Sequence, residues 1–341
     1  MPSIPSEELR KILVVRNDRL GDVVLILPFV EALAQALPRA QIDVLVRREL
    51  SDIFFQHPIV RTVLPDEGEP AGKLAAKIRA GSYDAIIVIN PNWRNALAAW
   101  RSGTPIRVGQ GNRIFGMFFN RRVYFHRSRM EKHEAEYHLL YLEGLGIVPP
   151  PMLPRPRIMV DPEAGEKVGA LLAQAGWDGT KPLLGLHPGS GGSSRTWGFA
   201  NYAALAQRLL AAGYAVVVTG GAGEDDAVKL GRMTGVIGMV GKTNLRELIA
   251  LLGKMKVFVS ADTGPMHLCG ALGIPTVSIF SPQRGNSPAR WHPLGNRWVA
   301  LKPDGVECGK CGRDACPDPN CMARVSVDAV FEAIKEVLST K

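Results

Sequence analysis

The chain reads as an α/β protein made of two doubly wound parallel domains, and three observations predict this. Short β-branched runs alternate with amphipathic stretches of helical period along the chain. The alternation occurs twice, on either side of a proline-rich segment. Small polar or glycine-rich loops follow several of the apolar runs, as they do at the carboxyl ends of parallel strands. A chain of 341 residues that is 46% hydrophobic can fill two separate cores.

In the first half, strands are predicted at residues 12–15, 42–46 and 85–89, with helices over 23–37 and 71–79. In the second half, strands are predicted at 183–186, 215–219, 236–240, 257–260 and 276–280. Helices are predicted there over 199–212, 225–232, 245–252 and 266–272. Between the halves, Pro149, Pro150, Pro151, Pro154 and Pro156 exclude a helix or sheet interior and favour an extended, semi-rigid linker. The reading therefore places a first domain over 1–150, a linker over 151–160 and a second domain over 161–325. A last helix within 326–341 is directed back toward the first domain. Two such domains are expected to leave a cleft between the carboxyl ends of their sheets, where ligands of open α/β folds bind.

The net charge of +9 is unevenly placed. Residues 94–132 contain Arg94, Arg101, Arg107, Arg113, Arg121, Arg122, Arg127, Arg129 and Lys132 against the single carboxylate Glu131, interleaved with Trp93, Trp100, Phe115, Phe118, Phe119, Tyr124 and Phe125. Such a segment suits an anionic partner: a phosphorylated glycolipid, an acidic membrane face or nucleic acid. A merely solvated basic face is the plainer alternative. The polar start, residues 1–11, has no apolar stretch of signal length, and no run of about 18 apolar residues occurs. A cytoplasmic protein without a membrane span is expected.

Four loops carry the chemistry. The first, Arg16-Asn17-Asp18-Arg19-Leu20-Gly21-Asp22, ends at a predicted helix start. Asp22 there is either an N-cap or, with an acceptor hydroxyl held close, a general base. The second, His187-Pro188-Gly189-Ser190-Gly191-Gly192-Ser193-Ser194-Arg195, exposes backbone N–H groups and hydroxyls, and Arg195 can fork onto phosphate oxygens. It lacks the Lys-Ser/Thr ending of a Walker loop and reads as a diphosphate cradle or a flexible connection. The third, Gly220-Gly221-Ala222-Gly223-Glu224-Asp225-Asp226, puts acids where a ribose diol is often held or where a helix dipole favours them. The fourth, Asp262-Thr263-Gly264-Pro265-Met266-His267, follows an apolar run and opens a helix, which makes it an anion site lined by Thr263 and Gly264.

Cys308, Cys311, Cys316 and Cys321 form a C-x2-C-x4-C-x4-C segment over 308–321, while Cys269 stands alone. Four thiolates at this spacing could close on a structural zinc; reduced thiols are the alternative, and disulfides do not suit a reducing compartment.

Taken in order, Arg16 to Pro28 with its Gly21-Asp22 pair, the HPGSGG loop, the glycine-acid loop and DTGPMH resemble the ADP-heptose:lipopolysaccharide heptosyltransferases over most of the chain. The resemblance implies the GT-B architecture, with the acceptor on the first domain and the nucleotide sugar on the second. It implies an inverting, metal-independent displacement that transfers heptose from ADP-heptose to the lipopolysaccharide inner core, either Kdo-lipid A or an already heptosylated core. By the same resemblance Asp22 is the general base, and Ser190, Arg195, Thr263 and Gly264 contact the diphosphate. Glu224 holds the ribose, and Asp262 and His267 lie near the donor sugar. Arg16, Arg19, Arg94, Arg113, Arg121 and Arg122 are the acceptor candidates. The partners implied are ADP-heptose, a phosphorylated glycolipid and the cytoplasmic face of the inner membrane, with no nucleic acid. No cofactor is implied for the reaction.

The sequence departs from the family pattern at Arg195, where a lysine is usual, and at Gly198, where proline is usual and glycine is expected to loosen the loop. Three other readings stay open. One is the same fold acting with another nucleotide sugar on a different surface polysaccharide. Another is a nucleic-acid-binding protein with a four-cysteine knuckle. The third is a retained nucleotide-binding fold that has lost catalysis.

Overall fold

A computed structural model describes residues 4, 5, 8–192, 194–306, 308, 318 and 320–339. The chain divides into two compact units, Met1–Met159 and Val160–Lys341.

The first unit is a six-stranded parallel sheet in the order β3-β2-β1-β4-β5-β6, made of β1 Lys11–Val15, β2 Gln41–Arg47, β3 Val60–Asp66, β4 Ala85–Val88, β5 Ile106–Gln110 and β6 Arg121–Val123. β1 sits between β2 and β4, so the strand order reverses there, and this is the switch point at which doubly wound sheets bind ligands. The central strands are continuous apolar runs because helices cover both faces of such a sheet; Leu13, Val15, Ile86 and Val88 are fully or almost fully buried. At about 1.5–3 kcal/mol per buried aliphatic side chain, this row fixes the register.

Helices α1 Leu20–Val24, α2 Leu27–Ala36, α3 Ala71–Ala80, α4 Trp93–Arg101 and α5 Glu134–Leu139 belong to the first unit. The single helix expected over 23–37 is two helices. Pro28, in the first turn of α2, has no N–H to give the carbonyl of Val24, and the ladder restarts at Leu27. Strands β3, β5 and β6 were absent from the sequence reading. β3 carries Pro65, which an edge strand tolerates because one side of its backbone needs no partner.

The second unit repeats the plan. Its sheet runs β12-β11-β10-β7-β8-β9, with β7 Leu183–His187, β8 Ala215–Val218, β9 Val236–Gly238, β10 Val257–Ala261, β11 Thr276–Ile279 and β12 Trp298–Leu301. All pairings are parallel and the order reverses at β7 and β10. Helices α6 Pro162–Gln174, α7 Phe199–Ala211, α8 Asp225–Leu230, α9 Leu245–Gly253, α10 Gly264–Leu272 and α11 Pro288–Trp291 fall close to the predicted spans where spans were predicted.

The final helix, α12 Val327–Ser339, was directed toward the first domain; instead its apolar face lies in the core of the second unit. Val330, Phe331, Ile334 and Val337 form a stripe of helical period, and they join Leu205, Leu209, Val259 and Ile279 in one buried cluster. A stripe this apolar is stabilised by the nearest uncovered sheet face, which its own unit supplies.

Candidate functional site

The candidate residues of the first unit gather at the carboxyl ends of β1 to β4, with α4 and α5 beside them. Arg16 directly follows β1 and is almost wholly buried, yet it is charged, and every face of its guanidinium is used. Nη2 donates to Asp22 Oδ1, Nε to Asp18 Oδ1 at 2.8 Å and Nη1 to His138 Nε2 at 3.2 Å. His138 Nδ1 lies 2.9 Å from the Leu25 carbonyl, which can only accept, so Nδ1 carries the proton and Nε2 receives the arginine. Burial holds this histidine below its ordinary range and therefore neutral. Glu134, at 3.5 Å from Nε2 and ion-paired to Arg127 at 3.0 Å, completes the shell. Burial works against the Arg16 charge, but Asp22, Asp18 and Glu134 outweigh it and raise its pKa. Burial pushes Asp18 up to about 6 despite the attraction of Arg16, with repulsion from Asp22 adding to the rise. One guanidinium thus clamps two carboxylates.

Beside this clamp lies a cavity of about 870 Å³ lined by Asn17, Asp18, Arg47, Arg48, Glu49, Asp66, Glu67, Gly68, Asn90, Asn92 and Arg94. Its floor is a buried polar network. Asn17 and Asn95 exchange amide hydrogen bonds at 3.0 and 2.7 Å, Asn17 also donates to Asp66, and Arg94 forks onto both oxygens of Asp66, with the Nη1 contact at 2.9 Å. Burial works against the Asp66 anion, but these donors and the Gly68 N–H hold its pKa at about 2. The arginines of the cavity face carboxylates: Arg94 faces Asp66, Arg48 faces Glu67, and Arg47 lies 3.7 Å from Glu49. Amides, guanidinia and carboxylates in balance suit a polyhydroxylated ligand better than a bare anion.

Of the six arginines expected to meet an acceptor, only Arg94 lines this cavity. Arg16 is occupied in the clamp, Arg19 is exposed at the start of α1, and Arg113, Arg121 and Arg122 sit in and before β6, at the far edge of the sheet. Asn17, Asp66, Asn95 and His138 were not singled out from the sequence. For Asn17 and Asp66 the signal is positional, since they lie just after β1 and at the end of β3; Asn95 and His138 lie within α4 and α5, where no such signal exists.

In the second unit, the loops after β7, β8 and β10 converge. Glu224, the N-cap residue of α8, turns its carboxylate onto backbone N–H groups, accepting from Gly221 at 2.8 Å and from Gly191 at 3.2 Å. It thereby joins the loop after β8 to the loop after β7. A Cβ at Gly189 would fall 1.9 Å from Glu224 Oε1, so a side chain there would displace the Glu224 carboxylate from its backbone donors. Ser190 Oγ donates to the Ser194 carbonyl at 2.7 Å, and Ser194 Oγ to the Asp262 carbonyl at 3.2 Å, which ties in the loop after β10. His187 is buried at the end of β7 with its Nδ1 3.0 Å from Thr219 Oγ1. Burial lowers its pKa while the Glu224 carboxylate pulls the other way.

Thr263 is the N-cap residue of α10, but its side chain makes no cap bond, and its buried Oγ1 has no hydrogen-bond partner among the described residues. Gly264 opens the helix and Pro265 follows it, so the first N–H groups of α10 point out of a turn that the sequence has pre-set. His267 is buried one turn further on, edge-to-face with Trp291 at 6.4 Å between ring centres.

Arg195 lies against the Cys-rich segment, with Nη1 3.4 Å from the Asp318 carbonyl and 3.8 Å from Cys321 Sγ. Gly198 does not loosen this loop. It adopts φ +91°, a value closed to proline, whose ring fixes φ near about −65°. The residue before it is anchored, with Trp197 buried and its indole N–H donating to the Val325 carbonyl at 2.7 Å. Glycine therefore turns the chain where proline could not, and the loop is pinned to the segment that follows Cys321. Cys308 and Cys321 are buried, whereas Cys311 and Cys316 lie outside the described residues. Among the described residues no group of three or more His, Cys, Asp or Glu side chains could hold a metal ion, and no helix is long and apolar enough to cross a membrane.

Two reversal points, each with polar loops at its carboxyl edge, and a helix start presenting N–H groups are the parts of a nucleotide-sugar transferase. Known proteins agree. A putative glycosyltransferase of Haemophilus influenzae is 28% identical over 94% of this chain and 96% of its own length. Lipopolysaccharide heptosyltransferase 2 of Escherichia coli K12 is 27% identical over 84% of this chain and 86% of its own. The crystal structure of a family 9 glycosyl transferase from Veillonella parvula superposes with a TM-score of 0.83 at 25% identity, covering 96% of this chain and 97% of that one. The model of glycosyltransferase family 9 matches residues 71–321, well over half of the chain, so the protein belongs to that family of heptosyltransferases, with two doubly wound domains of the GT-B class.

Proposed function

We propose that the protein is an inverting, metal-independent transferase that moves heptose from ADP-heptose to the inner core of lipopolysaccharide, Kdo-lipid A or a heptosylated core, at the cytoplasmic face of the inner membrane. The observation that carries this reading is the convergence, in the second unit, of the loops after β7, β8 and β10 beside the start of α10. Glu224 accepts there from the Gly191 N–H, and Ser190 is tied to the Asp262 carbonyl through Ser194. A diphosphate placed against that start receives the Gly264 turn's N–H groups and the otherwise unpartnered Thr263 hydroxyl. Arg195 adds a fixed cation for the charge that builds on the leaving group. Glu224 would exchange one of its backbone N–H bonds for the ribose diol, and Asp262 and His267 face the sugar.

The acceptor belongs to the first unit. The charge-balanced cavity over the Asn17–Asp66–Arg94 network would hold sugar hydroxyls, and Asp22 takes the proton of the attacking one. In the single displacement the acceptor oxygen forms a bond to the anomeric carbon while the bond from that carbon to the diphosphate oxygen breaks. ADP leaves with the electron pair, and configuration inverts.

ADP should raise the thermal midpoint of the purified protein while duplex DNA and RNA leave it unchanged. Arg195→Ala should weaken ADP binding on the order of tenfold or more, since a charge-assisted hydrogen bond contributes about 1.5–3 kcal/mol. Unchanged affinity in the variant would remove Arg195 from the diphosphate, and stabilisation by nucleic acid alone would sink the transferase reading. Product analysis with ADP-heptose and a panel of truncated core lipids then identifies donor and acceptor; turnover only with another nucleotide sugar would reassign the donor.

A structural zinc on Cys308, Cys311, Cys316 and Cys321 belongs to the same proposal, supported by the burial of Cys308 and Cys321 and by the guanidinium set beside Cys321 Sγ. Elemental analysis of protein purified under reducing conditions should find one zinc per chain, and protein that is folded and metal-free would dispose of the idea.

A further inference from the structure

The first unit carries a surface that the transfer chemistry leaves unused. On α4, Trp93 and Trp100 lie two turns apart on one face and are 53% and 51% exposed. The 3₁₀ turn Ile114–Phe118 packs against them: Phe118 approaches Trp93 and Trp100 with ring centres 6.0 and 5.8 Å away, and Phe115 lies 6.2 Å from Trp93. That packing turns Ile114 and Met117 outward, 73% and 64% exposed. Single apolar residues on a surface are ordinary, but two tryptophans, an isoleucine and a methionine on one contiguous ridge are not. The segment that carries the ridge has charge of one sign. Residues 94–130 contain no Asp or Glu, and Arg101 and Arg113, both exposed, flank the apolar ridge in sequence.

We propose that this ridge docks the protein on an anionic phospholipid surface, with Ile114 and Met117 entering the acyl boundary, Trp93 and Trp100 at headgroup depth, and Arg101 and Arg113 on the lipid phosphates. The division of chemistry by exposure carries this choice. The most exposed side chains are aliphatic, and a membrane interface offers an apolar medium for them beneath a negative layer, with indoles favoured between the two. A nucleic acid offers phosphate and stacking faces but nothing for an isoleucine and a methionine to enter. The proposal shares with the functional reading only the need for a lipid-linked acceptor. It is tested without donor or acceptor, so either can fail alone.

Full-length protein is sedimented with phosphatidylcholine vesicles and with vesicles containing about 30% phosphatidylglycerol, which carry the negative surface that attracts basic segments. Binding is expected to the anionic vesicles, weakening as salt is raised. An Ile114→Ser/Met117→Ser variant should bind on the order of tenfold more weakly, since two exposed apolar side chains lose their insertion. An Arg101→Gln/Arg113→Gln variant should lose a similar amount, each arginine near an anionic surface being worth about fivefold. Val148→Ser/Met152→Ser, at exposed apolar positions elsewhere in the unit, should bind like the parent. As a second readout, brominated lipid should quench the parent's tryptophan emission and should quench Trp93→Phe/Trp100→Phe much less. Absence of vesicle binding, equal loss in the Val148/Met152 control, or unchanged binding in the Ile114/Met117 variant would each overturn the proposal.

Discussion

Replacing Asp22 with asparagine is expected to lower the rate of sugar transfer by roughly 10²- to 10⁴-fold, the usual span for a general base, while ADP binding stays at the parent value. The substitution is close to isosteric. Asp22 occupies the first turn of α1, its side chain is mostly shielded, and its Oδ1 accepts from Arg16 Nη2. An asparagine oxygen can keep that contact; what disappears is the site that takes the proton. KM for the donor should not move, because the proposed donor contacts all lie in the second unit. Asp18 shares the same guanidinium and, with its pKa at about 6, is ionised at the alkaline side of neutrality. A fully active Asp22→Asn enzyme combined with an inactive Asp18→Asn enzyme would move the base role four residues back along the same loop.

Much of this arrangement could be read before any coordinates. The central strands of both sheets announced themselves as β-branched runs, because a parallel strand covered on both faces has no polar side to alternate with. The outer strands of the first sheet did not. β3, at one edge, is interrupted by Pro65, and the last two strands on the other side, β5 and β6, carry Arg107, Arg121 and Arg122 and are only partly buried, which leaves too weak an apolar signature. The loops of the second unit were legible for a related reason: glycines, hydroxyls and acids were already contiguous in sequence, and the fold had only to bring three such loops to one sheet edge. The first-unit site was less so. Arg16 and Asp22 are near neighbours, but His138 lies 122 residues from Arg16, and Asn95 lies 78 from Asn17. No local pattern marks a buried polar network whose members come from strand ends and helices far apart in the chain. The basic segment was noticed as a whole, yet it divides by neighbours that only the fold supplies: Arg94 turns inward to Asp66, Arg127 pairs with Glu134, and Arg101 and Arg113 are left beside an apolar ridge.

Replacing Arg16 with methionine is expected to destabilise the first unit by about 3–5 kcal/mol at pH 8, the range found when one partner of a buried ion pair is removed. Methionine fills much of the stem volume, so the loss arises from charge rather than packing. Asp18 and Asp22 keep their positions next to each other, and the cation between them is gone. The effect should depend on pH in a definite direction. Asp18 already has its folded pKa raised to about 6 with Arg16 present, against an ordinary value near 3.8. A carboxyl group raised in this way favours folding below its unfolded pKa, and that contribution is lost as pH climbs through the folded one. Without the guanidinium, which pulls the value down, the folded pKa moves higher still, and the penalty is greater at pH 8 than at pH 5. His138 acts in the same direction. Arg16 is one of the charges that lower its pKa, so in the variant the imidazole protonates more readily at pH 5 and pairs with Glu134, 3.5 Å away, recovering part of the stability. Urea unfolding of parent and variant at the two pH values measures the difference directly. A loss below about 1 kcal/mol, or one that is the same at pH 5 and pH 8, would mean that the two carboxylates are solvated independently and that Arg16 is not the clamp that holds Asp22.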